Sequence, residues 1–105
     1  MKYTKGLIKS LQGYVVGKGI ERGFKDQTNQ ERLLFLTEEL GELIKACRKA
    51  LNTHTDITRK DGDVGEEIAD ILIELLWAAH GLGIDVEEEF IKKEAKNNKR
   101  VWKRN

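Results

Sequence analysis

Residues 68–79 read Ile-Ala-Asp-Ile-Leu-Ile-Glu-Leu-Leu-Trp-Ala-Ala, apolar throughout except at Asp70 and Glu74. At a helical period of 3.6 these apolar side chains encircle the axis. A helix of this kind has to be covered on most of its sides, which one neighbouring helix cannot do. The segment therefore dictates a packed multi-helix arrangement. Glu67, Asp70 and Glu74 fall on a single narrow stripe of that helix. Carboxylates seldom enter such surroundings unless they are paired or hold a metal ion.

The rest of the chain supplies the neighbours. It contains no proline, so the commonest helix breaker is missing. A first helix is expected over about Lys2 to Val16, from Tyr3, Leu7, Leu11, Tyr14 and Val15, with Gly17, Gly19 and Gly23 marking an irregular stretch after it. Thr28 followed by Glu31 reads as a capping box. A second helix then carries Leu33, Leu36, Leu40, Leu43, Ile44, Cys47 and Leu51. Asn52 to Gly62 is polar and reads as a loop. Asp63 with Glu66 starts the third helix, which is expected to run to about His80 and to end near Gly81 and Gly83. Asp85 and Glu88 open a fourth. No internal repeat or linker interrupts residues 1–105, so one all-α domain of four helices is expected. A domain this small builds a thin core, and self-association would bury more of it.

Composition narrows the class. The 105 residues are 39% hydrophobic and 35% charged, as in a soluble globular protein. No apolar run is long enough for a membrane span, and Met1 to Leu11 lacks the pattern of a signal peptide. The single cysteine, Cys47, cannot form an internal disulfide, so a cytoplasmic location is expected. Net charge is only +1, but Lys92, Lys93, Lys96, Lys99, Arg100, Lys103 and Arg104 gather at the end while carboxylates gather in the middle. An acidic centre beside a basic end suits a metal site next to a phosphate site. A solvated helix end is the simpler reading of the same charges.

On a helical wheel the second helix presents Leu36, Leu40, Leu43 and Cys47 on one face, with Glu38 opposite, near Lys45 and Lys49. Glu39 and Glu42 lie at the border of that face and are three apart, so their side chains can converge. Glu67 and Asp70 repeat the spacing on the third helix. If the two helices pack antiparallel, the pairs can face each other. Oxygen donors without nitrogen or sulfur suit a hard cation, Mg²⁺ or Mn²⁺. A di-iron site would want Glu-x-x-His, but Leu51 and Trp77 stand three before His54 and His80. Zinc-ligand spacing is missing, as is a glycine-rich phosphate loop ending in Lys-Ser or Lys-Thr. Glu-Glu-x-x-Glu taken alone reads as a solvated helix face, Glu67 with Asp70 on an apolar helix reads equally well as a site, Trp77 reads as core or interface, and His80 as a cap or surface residue.

Glu38-Glu39-Leu40-Gly41-Glu42, then 24 residues, then Glu67-Ile68-Ala69-Asp70, resembles the signature of the MazG nucleotide pyrophosphohydrolases, EExxE followed by ExxD. Glu21-Arg22-Gly23-Phe24 is similar to the turn that precedes the first motif. Lys93, Asn97 and Arg100 match a K-x-x-x-N-x-x-R pattern that follows the second. The resemblance spans about residues 21–100. It implies an all-α fold whose bundle is completed as a homodimer or homotetramer. It implies cleavage of nucleoside triphosphates to a monophosphate and pyrophosphate. Glu39, Glu42, Glu67 and Asp70 would then be Mg²⁺ ligands, with Mn²⁺ a possible substitute. Glu38 would orient the attacking water and accept its proton. Lys93, Asn97 and Arg100 would contact the phosphates or a neighbouring subunit's substrate.

Two other classes fit parts of the pattern. A helical interaction module without activity would need the fold but not the four carboxylates. A nucleic-acid binder would use Lys92 to Arg104 with Trp102, but the acidic centre and near-zero net charge argue against it.

Overall fold

The computed structural model describes residues 1–51 and 63–103. The expected loop from Asn52 to Gly62, with His54, lies outside the described residues, as does Arg104. The described residues form four helices: α1 Leu7–Glu21, α2 Asn29–Ala50, α3 Val64–Gly81 and α4 Val86–Asn97.

Local chemistry fixes most of the ends. Thr28 accepts from the Glu31 backbone N–H at 3.1 Å, and the Glu31 carboxylate accepts from the Thr28 N–H at 3.1 Å, which is the expected capping box. Asp63 and Asp85 cap α3 and α4 by accepting from the Glu66 and Glu88 N–H groups. Gly83, at φ 73°, closes α3 with Gly83 N–H to His80 O and Ile84 N–H to Ala79 O, both at 2.9 Å.

The first helix departs from expectation. It starts later, at Leu7, and runs on through Gly17 and Gly19 to Glu21. Its start has no side-chain cap of its own. The Glu87 carboxylate on α4 serves instead, accepting from the Gly6 N–H at 2.7 Å and from the Tyr3 hydroxyl at 2.6 Å. Gly19 does not break the helix because it is needed there. A Cβ at Gly19 would lie 2.5 Å from the Trp77 ring. Only Gly23, at φ 87°, acts as the expected stop.

The helices pack in the order α2–α3–α1–α4, with α3 between α2 and α1. Val15, Leu76 and Trp77 form the core, flanked by Ile8, Val16 and Val86. Trp77 is thus core, as its sequence context suggested. Buried Gln12 ties three segments together. Its amide donates to the Leu76 and Ile84 carbonyls at 3.4 and 3.0 Å and accepts from the Val86 N–H at 3.1 Å.

The third helix is less covered than its composition predicts. Ile68, Leu72, Ile73 and Leu75 remain 54, 45, 40 and 47% exposed. Among the described residues α3 packs mainly against α2 and α1, and a helix apolar all round needs more cover.

Candidate active site

The inner face of α2 is rotated from the one the wheel selected. Arg32 and Ala46 are buried and Leu36, Glu39 and Leu43 are half-buried, whereas Leu40 and Ile44 are 50 and 55% exposed. The inward stripe is therefore 32, 36, 39, 43, 46, and Glu39 belongs to the interhelical face instead of its border. Leu40 does not belong to it. The physical reason is on α3: its carboxylate stripe turns toward α2, where Glu39 shares a hydrogen bond with buried Glu67 that a leucine could not make.

Antiparallel packing brings Glu39, Glu67 and Asp70 together. One carboxylate oxygen from each lies within 4.8 Å of the others. Glu67 is only 7% exposed, and its Oε2 is buried without a hydrogen-bond partner. Glu74, one turn beyond Asp70 on α3, also has a buried Oε2 without a partner. Loss of water pushes the Glu39 carboxyl above the ordinary range, and the charge of Asp70 pushes it further. Burial and then the charge of Glu39 do the same to Glu67. Glu74 is raised by burial and by Asp70. Glu39 and Glu67 share a hydrogen bond that lowers the first and raises the second.

Among the described residues, neither Glu38 nor Glu42 joins this group of three. Glu42 is half-buried, accepts from Lys45 at 3.4 Å, and adds its negative charge to the field at both Glu39 and Glu67. Glu38 is exposed, as its wheel position predicts. Lys93 and Arg100 are exposed, and Asn97 donates to Glu94 at 3.0 Å. Arg100 lies 5.8 Å from the Trp102 ring centroid. His80 is exposed and stacks beside Trp77. Cys47 is half-buried.

The cluster fits a hard divalent cation on its own chemistry. Its donors are all oxygen, they converge from two helices, and the orphaned Glu67 oxygen is the kind of group a cation satisfies. Reading the sequence alone overlooked Arg32, which is buried two turns before Glu39. A lone arginine usually reads as solvated. The available signal was its place on the same helical stripe as Glu39.

Comparison with known proteins adds the following. The family model described as the MazG nucleotide pyrophosphohydrolase domain matches residues 27–104. A protein named dATP/dGTP diphosphohydrolase, from Salmonella phage PMBT28, is 35% identical over 102 residues, covering 97% of this chain and 30% of that protein. This chain thus spans less than a third of the length of that relative. No solved structure matches. No helix among the described residues is long and apolar enough to cross a membrane.

Proposed function

Because the chain belongs to the MazG nucleotide pyrophosphohydrolase family, we propose that it hydrolyses nucleoside triphosphates between the α and β phosphates, releasing a monophosphate and pyrophosphate. The observation that carries this reading is the convergence of Glu39, Glu67 and Asp70 around an orphaned carboxylate oxygen.

In this reading Glu39, Glu67 and Asp70 hold Mg²⁺, or Mn²⁺ in its place, with Glu42 as the fourth ligand. A divalent ion at that position supplies positive charge for the polyphosphate and activation of water. Glu38 orients the attacking water and accepts its proton. Lys93, Asn97 and Arg100 offset negative charge on the leaving pyrophosphate, in the same chain or across a homodimer or homotetramer interface. The water oxygen bonds to the α phosphorus, and the bridging oxygen leaves with pyrophosphate. The protein works in the cytoplasm, controlling or cleaning the nucleotide pool.

The test is a pyrophosphate-release screen with Mg²⁺ across ribo-, deoxyribo- and modified triphosphates. It begins with dATP and dGTP, the nucleotides in the relative's name. Wild-type protein should release pyrophosphate, and Glu67→Gln and Asp70→Asn should each lose roughly 100-fold or more of that activity. Folded wild-type protein that releases pyrophosphate from none of them would leave a helical interaction module as the better reading.

A further inference from the structure

We propose that Arg32 is a positioning residue: it sets the register of α2 against α3 and thereby holds Glu39 opposite Glu67 and Asp70. The inference rests on the metal-site reading given above.

Arg32 is only 6% exposed. Its guanidinium carbon lies 4.0 Å from the centroid of the Trp77 ring. Nη1 donates to the Trp77 carbonyl at 3.3 Å and Nη2 to the Lys25 carbonyl at 3.5 Å. Its Nε is buried without a partner. Among the described residues no carboxylate forms an ion pair with it. A buried cation held this way is a poor device for stability alone, because an apolar side chain of similar volume packs at lower cost. What a guanidinium provides, and a leucine does not, is a planar fork with fixed directions.

The surroundings keep that fork in one place. The Trp77 indole N–H donates to Gln27 Oε1 at 2.9 Å. Gly19 leaves room for the ring, since a Cβ there would meet it at 2.5 Å. Gly81 leaves room for the arginine, since a Cβ there would lie 2.5 Å from Nη1. The tryptophan and the guanidinium are thus fitted closely against the backbone at Gly19 and Gly81.

Register then follows from numbering. Glu39 is seven residues after Arg32, and Asp70 is seven residues before Trp77. Seven residues are two helical turns, about 10.5 Å, so in an antiparallel pair the two layers move together. A slip of one residue would displace Glu39 by about 1.5 Å and turn it by about 100°. Between the two layers stand half-buried Leu36 and Glu74, whose buried Oε2 has no hydrogen-bond partner that could fix the register instead.

The experiment is Mn²⁺ titration followed by the electron paramagnetic resonance of the free ion, on wild type, Arg32→Lys, Arg32→Met and Val15→Ala. Circular dichroism reports folding of each at the same temperature. Val15→Ala weakens the core from the α1 side and leaves every residue of α2 and α3 unchanged. Both Arg32 variants should bind Mn²⁺ roughly 10- to 100-fold more weakly, while Val15→Ala melts earlier but keeps wild-type affinity. Lysine retains the charge and not the fork, so Arg32→Lys decides the matter if Arg32→Met does not fold. Wild-type affinity in folded Arg32→Lys, or an equal loss in Val15→Ala, would overturn the positioning role. Wild-type protein that binds no Mn²⁺ would instead overturn the metal reading, and this inference with it.

Discussion

Glu67 and Glu87 are both buried carboxylates, and they are pushed in opposite directions. Burial and the charge of Glu39 raise Glu67. The Tyr3 hydroxyl, the Gly6 N–H and other N–H groups at the start of α1 outweigh burial and lower Glu87. The consequences for stability have opposite signs. A raised carboxyl keeps its proton in the folded state after the unfolded chain has lost it. Its penalty is absent below the ordinary carboxylate pKa and grows as pH rises through the raised value. A lowered carboxyl contributes stability above its unfolded value and loses it as pH falls through the folded one. Metal-free protein should therefore melt at higher temperature as pH drops toward the ordinary carboxylate pKa of about 4, then at lower temperature below it. Thermal melts in a chelator check this. Glu67→Gln should flatten the first limb and Glu87→Gln the second. A divalent cation should reverse the first limb, since it favours ionised carboxylates. Unchanged slopes in both variants would mean that these two groups do not govern the profile.

At the scale of elements, the three glycines of α1 make different demands. Nothing lies within 4 Å of a Cβ built on Gly13 or Gly17, whereas one on Gly19 would strike the Trp77 ring. Gly17→Ala should stabilise the fold by about 0.5–1 kcal/mol, the ordinary gain of alanine over glycine in a helix. Gly19→Ala should destabilise it by about 1–3 kcal/mol despite the same gain in propensity, because the tryptophan has to move. Urea denaturation of the two variants tests the contrast, and equal effects would contradict the packing of α1 on α3. This pair also shows what a sequence conveys. Thr28, Asp63 and Asp85 announce their helices because a cap is a local event, written within three residues. The carboxylate spacing within each helix is equally local, so the pairs Glu39/Glu42 and Glu67/Asp70 could be picked out, and Glu39, Glu67 and Asp70 of these four lie together. Gly17 and Gly19 look alike in the sequence, and only the third helix distinguishes them. The face of α2 was misjudged for the same reason: leucines outnumber glutamates locally, but Glu39 turns inward to meet a stripe that lies across the bundle. Gln12, Arg32 and Glu87 were not legible at all. Each looks like an ordinary surface residue until the carbonyls and N–H groups of another helix are brought to it.

At the scale of the whole molecule, the surface is too large for the mass. The chain exposes 8567 Å² at 12.0 kDa. A compact monomer of that mass exposes roughly 6,000 Å². Its radius of gyration is 16.9 Å and its extents are 49 × 46 × 23 Å, a slab instead of a sphere. About 13 Å would be ordinary for a compact domain of this length. Part of that surface is apolar and ordered in stripes. Ile68, Leu72 and Leu75 on α3, with Leu33, Leu40 and Ile44 on α2, are all 44 to 55% exposed. Each set follows helical spacing, so each forms a continuous ridge suited to packing against another helix. A second copy of the chain supplies such helices, which agrees with the homodimer or homotetramer proposed for the enzyme. Sedimentation equilibrium should give two or four times the chain mass. Leu72→Glu should return the protein to a monomer, since it places a charge at the centre of the α3 ridge without touching Glu67 or Asp70. The same variant separates two uses of the basic end of α4. If Lys93, Asn97 and Arg100 act on a neighbouring subunit's substrate, the monomer loses activity while still binding Mn²⁺. If they act within their own chain, a folded monomer keeps both.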